Sequence, residues 1–155
     1  MPPHSAPILV IEGHCDVRVA LQLALDFVGY EVRTTANARE ARTELERMVR
    51  PGLLLLDEAL PERERAEFIQ YVREEPSLRS LPIVLLSLDE NVRPSGIQAV
   101  LRKPFTLDRL YAVVKEHCEV RDVPRARKGA GRPGLSLVPA PREQKARESA
   151  RRLGA

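Results

Sequence analysis

Gly52-Leu53-Leu54-Leu55-Leu56-Asp57 decides how the rest of the chain reads. Four consecutive leucines are too few to span a membrane and too uniform for a strand with one wet face. A short apolar run entered through Arg50-Pro51-Gly52 fits a strand buried on both faces at the centre of a parallel sheet. In open α/β sheets, ligands gather in the crevice beyond the carboxyl ends of the strands. Asp57 closes the run, so it is expected on the floor of such a crevice.

The flanking sequence repeats the same logic. Residues 8–12, Ile-Leu-Val-Ile-Glu, form a first apolar run that also ends in a carboxylate. From Asp16 the spacing becomes helical, with Val17, Leu21, Ala24, Leu25 and Val28 on one face and Gly29 as a left-handed stop. Glu31 to Thr35 reads as a short second strand. Asn37 with Glu40 three residues later suits a capping box, opening a helix with Ala38, Ala41, Leu45 and Met48 inside. After Asp57 come a loop with Pro61 and a helix of about ten residues around Phe68, Ile69 and Val72. Ile83 to Leu86 form a fourth run that ends in Ser87, and Ile97 to Arg102 a weaker fifth one, followed by Lys103-Pro104-Phe105. Between them, Pro94 and Gly96 leave room for little more than one helical turn. Thr106 is the expected N-cap of a last helix that buries Leu107, Leu110, Val114 and Cys118.

This alternation predicts a doubly wound α/β domain, a five-stranded parallel sheet with helices on both faces. Residues 1–7 read as an extension, 8–118 as the domain and 119–155 as a tail expected to be disordered. The domain carries 15 Lys/Arg against 18 Asp/Glu and the tail 10 against 4, so the net charge of +3 conceals an acidic domain with a basic appendage. No apolar run is long enough for a membrane helix, and the first residues have no signal-peptide pattern. Cys15 and Cys118 match no metal spacing, and we place them at opposite edges of the sheet, with no disulfide between them, in a cytoplasmic protein. His14 beside Cys15 reads as part of a helix start at the rim of the crevice.

Glu12, Asp57, Ser87 and Lys103 thus fall at or just beyond carboxyl ends of strands. Carboxylates converging with a hydroxyl and an ammonium suit a hard cation and a phosphoryl group. The acids would hold Mg²⁺, one carboxylate oxygen would attack phosphorus, and Ser87 and Lys103 would bind phosphoryl oxygens as charge develops on them.

In order and spacing, ILVIE, GLLLLD with the following Ala59-Leu60-Pro61, LPIVLLS and Lys103-Pro104-Phe105 resemble the receiver domain of two-component response regulators over about residues 8–118. The resemblance implies strand order 2-1-3-4-5, a signalling protein that is not an enzyme, and Asp57 as phosphoacceptor. It also implies Mg²⁺ on Glu12, Asp57 and the backbone carbonyl of Ala59, Ser87 and Lys103 at the phosphoryl group, and a cis bond before Pro104. Its partners would be a histidine kinase or phosphotransfer protein and a downstream protein.

Several positions depart from the family pattern. Gly13 stands where a second acid belongs, which weakens Mg²⁺ binding unless Glu58 or Asp16 reaches in. Leu88, in place of a small residue, is expected to crowd the phosphoryl pocket. Val100 replaces an aromatic switch, and Glu62-Arg63-Glu64-Arg65 replaces a glycine-containing loop. The fourth helix is expected to be shortened or missing. The leading expectation is a stand-alone, partly degenerate receiver of a bacterial-type phosphorelay. The alternatives are a binding module of the same fold that works without phosphorylation, and a regulator whose basic tail contacts nucleic acid. No membrane contact is expected.

Overall fold

The structure is a computed structural model that describes residues 5–118. The predicted tail and the first four residues lie outside that range. Five parallel strands, β1 (Ile8–Ile11), β2 (Val32–Thr35), β3 (Leu53–Asp57), β4 (Ile83–Ser87) and β5 (Ala99–Arg102), lie in the order β2-β1-β3-β4-β5. The helices are α1 (Cys15–Phe27), α2 (Ala38–Arg47), α3 (Glu62–Glu74) and α4 (Leu107–His117). No helix separates β4 from β5, as the proline and glycine in that segment predict. Among the described residues no helix is long and apolar enough to cross a membrane.

The leucine run is explained by the two-sided core. Successive strand side chains point to opposite faces. Leu53 and Leu55 join Ile8, Val10, Val84 and Leu86 under Leu21 and Leu25 of α1 and Leu110 and Val114 of α4. Leu54 and Leu56 join Leu9, Ile11, Ile83 and Leu85 under Ala41, Leu45, Phe68 and Val72 of α2 and α3. All four leucines are fully buried, each worth about 1.5–3 kcal/mol of transfer free energy. Gly52 admits this strand because the chain is crowded at its entry. A Cβ there would lie 2.6 Å from Cβ of Ala6 and 3.3 Å from Sγ of Cys118. Ala6 is buried, and the Pro7 carbonyl accepts from the Gly52 amide at 2.8 Å, so residues 6–7 pack with the domain.

The caps follow the sequence. Oδ1 of Asn37 accepts from the Glu40 amide at 2.9 Å, and Oγ1 of Thr106 from the Arg109 amide at 3.3 Å. Gly29 takes φ 93° after α1.

Three local expectations are corrected. Glu62-Arg63-Glu64-Arg65 is not a loop but the first turn of a thirteen-residue α3, favoured by acids at the helix start and by the Arg63–Glu67 pair at 2.9 Å. Val17 and Leu107, both in first turns of helices, are exposed rather than buried. Met48 is only half-buried, at the C-cap of α2. The cysteines do lie at opposite edges of the sheet, taken along the strand direction. Cys15 opens α1 beyond the carboxyl end of β1, whereas Cys118 ends α4 with Sγ 3.5 Å from the Ala6 carbonyl, and the two are not joined.

Candidate functional site

Parallel register lines up the ends of the strands. Ile11 pairs with Leu56, Asp57 with Leu86 and Ser87 with Arg102, so Glu12, Asp57, Ser87 and Lys103 emerge side by side. Glu12, Asp57 and Ser87 are essentially inaccessible, at 0, 1 and 0% exposure. The structure therefore brings Glu12, Asp57 and Lys103 into contact, with Ser87 at the adjacent strand end, where its hydroxyl bonds Glu58.

Lys103 organises the charges. Its Nζ lies 2.6 Å from Oδ1 of Asp57 and 3.6 Å from Oε2 of Glu12. The peptide bond between Lys103 and Pro104 is cis, and the Lys103 amide donates to the Ser87 carbonyl at 2.7 Å. Two buried carboxylates facing one ammonium leave a net charge of −1. Oδ2 of Asp57 and Oε2 of Glu12 are buried without a hydrogen-bond donor. A buried anionic oxygen in that state is costly unless a cation or donor reaches it. The donor set fits Mg²⁺, which takes oxygen ligands and is often held by one or two carboxylates with water completing its shell. Ala59 is exposed in the turn directly after β3, within the segment where its carbonyl would be needed.

Gly13 has open space beside it, since a Cβ built there meets only the Ala36 carbonyl oxygen, at 3.7 Å. Neither Asp16 nor Glu58 replaces the missing acid. Asp16 is exposed in the first turn of α1. Glu58 turns the other way, where its Oε2 accepts from the Ser87 hydroxyl and from the Leu88 amide at 3.2 Å. Arg65 holds the Glu58 and Leu60 carbonyls behind it. Leu88 does not crowd the pocket. Its side chain is 74% exposed, because Ser87 Oγ and the Asp89 backbone bond each other at 2.9 Å and turn the chain outward there. Val100 is half-buried against the core beneath α3.

Two contacts were missed from the sequence. His14, taken as part of a helix start, places Nδ1 3.0 Å from Oε1 of Glu12, while its backbone amide donates to the same oxygen at 2.8 Å. The signal was the i, i+2 spacing, which keeps two side chains on one side of an extended segment. The reach of Glu58 to Ser87 had no local signal, because it depends on the turn after β3.

The model of the response regulator receiver domain matches residues 8–115. The chain belongs to that family. It is similar to the polar-differentiation response regulator DivK of Brucella anthropi, 28% identical over 71% of this chain and 94% of that protein. Among solved structures, the chemotaxis protein CheY4 of Vibrio cholerae superposes with a TM-score of 0.64 at 25% identity, over 73% of this chain and 98% of that one. The response regulator TrrA of Thermotoga maritima, solved in complex with Mg²⁺ and BeF, gives 0.62 at 25% identity, over 72% and 97%. This receiver domain is thus a component of two-component phosphorelay signalling, and its sheet order and missing inter-strand helix agree with the sequence expectation.

Proposed function

We propose that Asp57 accepts a phosphoryl group from a phosphohistidine on a histidine kinase or phosphotransfer protein in the cytoplasm. The domain then signals through protein contacts rather than acting as an enzyme on a separate substrate. The observation that carries this reading is the buried Asp57 carboxylate, with Lys103 Nζ at 2.6 Å on one oxygen and no donor on the other. A carboxylate oxygen with no hydrogen bond is the more available nucleophile. As it bonds to phosphorus, the P–N bond to the donor imidazole breaks. Lys103 follows the growing charge on the phosphoryl oxygens, and the Ser87 hydroxyl with the Leu88 amide supplies donors on the other side.

Glu12, Asp57 and the Ala59 carbonyl would hold Mg²⁺. When bound, the ion neutralises charge on the transferring phosphoryl group. The TrrA complex with Mg²⁺ and BeF supports this assignment by similarity. An apolar row on α1, Val19, Leu23 and Phe27 at 47, 64 and 87% exposure, runs from the site rim and supports docking by another protein.

The test is intact mass after incubation with Mg²⁺ and a small phosphodonor. Wild type gains one phosphoryl group and Asp57→Asn gains none. Equal uptake by both proteins, or none by wild type, rejects the assignment.

A further inference from the structure

We infer that His14 is a third protein ligand to the cation, and that the site binds a divalent first-row transition ion in preference to Mg²⁺. This rests on the reading of Glu12 and Asp57 as cation ligands. One ligand atom each from Glu12, His14 and Asp57 fall within 4.8 Å of one another. Ligand atoms bound to a single ion at its usual distances sit up to ~4.3 Å apart, so a small inward movement completes the set.

The buried members are ready for it. Glu12 and Asp57 are at most 1% exposed, and one oxygen of each has no hydrogen-bond donor. Oε1 of Glu12 is pinned by the His14 amide at 2.8 Å, which fixes the carboxylate and leaves Oε2 3.6 Å from Nζ of Lys103. His14 can supply the third atom because its ring already lies beside the acid, with Nδ1 3.0 Å from Oε1 of Glu12. It occupies the N-cap of α1 yet makes no side-chain cap bond. Its side chain is 73% exposed, so the ring turns without disturbing the core.

The chemistry then decides the ion. Mg²⁺ is hard, selects oxygen donors and sheds water reluctantly. An imidazole nitrogen adds little for it, but strengthens binding of Co²⁺, Ni²⁺ or Zn²⁺. Gly13 contributes no carboxylate that would restore an all-oxygen set. Lys103 already shares both acids, so the incoming ion competes with an ammonium 2.6 Å from Asp57. An ion gaining a nitrogen bond competes better than one held by charge alone.

The test is calorimetric titration of the untagged full chain with CoCl₂ and with MgCl₂, for wild type and His14→Ala. Wild type is expected to bind Co²⁺ at least about tenfold more tightly than Mg²⁺. The variant is expected to lose about tenfold or more in Co²⁺ affinity and less than about twofold in Mg²⁺ affinity. A variant that changes both affinities equally, or neither, overturns the role of His14 while leaving the acid pair as a cation site. Wild type that binds neither ion overturns the inference together with the reading beneath it.

Discussion

Gly13 leaves open the position where a second carboxylate would stand beside Glu12, and the space is real. The nearest atom to a Cβ there is 3.7 Å away, and no left-handed backbone forbids a side chain. Gly13→Asp is therefore expected to fold and to tighten Mg²⁺ binding by about tenfold, near 1.4 kcal/mol, in a calorimetric titration. An unchanged affinity would mean that position 13 does not address the cation. Glu58 poses the opposite problem, since its carboxylate holds the hydroxyl and amide that would receive phosphoryl oxygens. Glu58→Ala removes an anion competing for the same donors and is expected to speed phosphoryl uptake by about fivefold, near 1 kcal/mol. Slower uptake would show that Glu58 assists instead. At this scale, Glu12, Asp57, Ser87 and Lys103 were legible because each follows an apolar run, and an apolar run locates a strand end. Leu88 was misread because its direction depends on a turn made by Ser87, which no periodicity encodes. His14 was passed over because its ligand is a buried carboxylate two residues away, not another residue of metal-binding spacing.

Among the elements, the segment from β4 to β5 shows how a missing helix is replaced. Arg73 of α3 spans the gap. Its Nε and Nη2 donate to the Gly96 carbonyl at 2.9 and 2.6 Å, and its Nη1 to the Arg79 and Leu81 carbonyls at 2.9 and 2.8 Å. Nη2 also meets Oε1 of Gln98 at 3.0 Å, and that oxygen in turn accepts from the Ile83 amide. One guanidinium therefore ties α3 to the entries of both strands, and burial lowers its pKa. Arg73→Ala leaves these carbonyls without their donor and is expected to cost about 2 kcal/mol, discounted for partial exposure, in urea unfolding. A loss below the error of that measurement would make the node incidental. Strands were the most legible elements, since a helix-covered parallel sheet needs unbroken apolar runs. The start of α3 was the least legible. The charged Glu62-Arg63-Glu64-Arg65 suits a loop and an exposed first turn equally well, and only packing of Phe68 and Ile69 chooses.

For the whole molecule, the sheet turns a linear pattern into a single crevice. Four residues spread from position 12 to 103 meet because strand register places their runs level, and the two-sided leucine core keeps that register. The central claim is that this convergence makes Asp57 the phosphoacceptor, in preference to its buried neighbour Glu12 or to Glu58. The most direct measurement is borohydride reduction of the chain after treatment with Mg²⁺ and a small phosphodonor, followed by peptide mass spectrometry. Reduction of an acyl phosphate leaves the corresponding alcohol, so the modified residue is marked. Homoserine is expected at position 57, with Glu12 and Glu58 unmodified. Reduction at either glutamate, or no reduced residue in protein that has taken up phosphate, would contradict it.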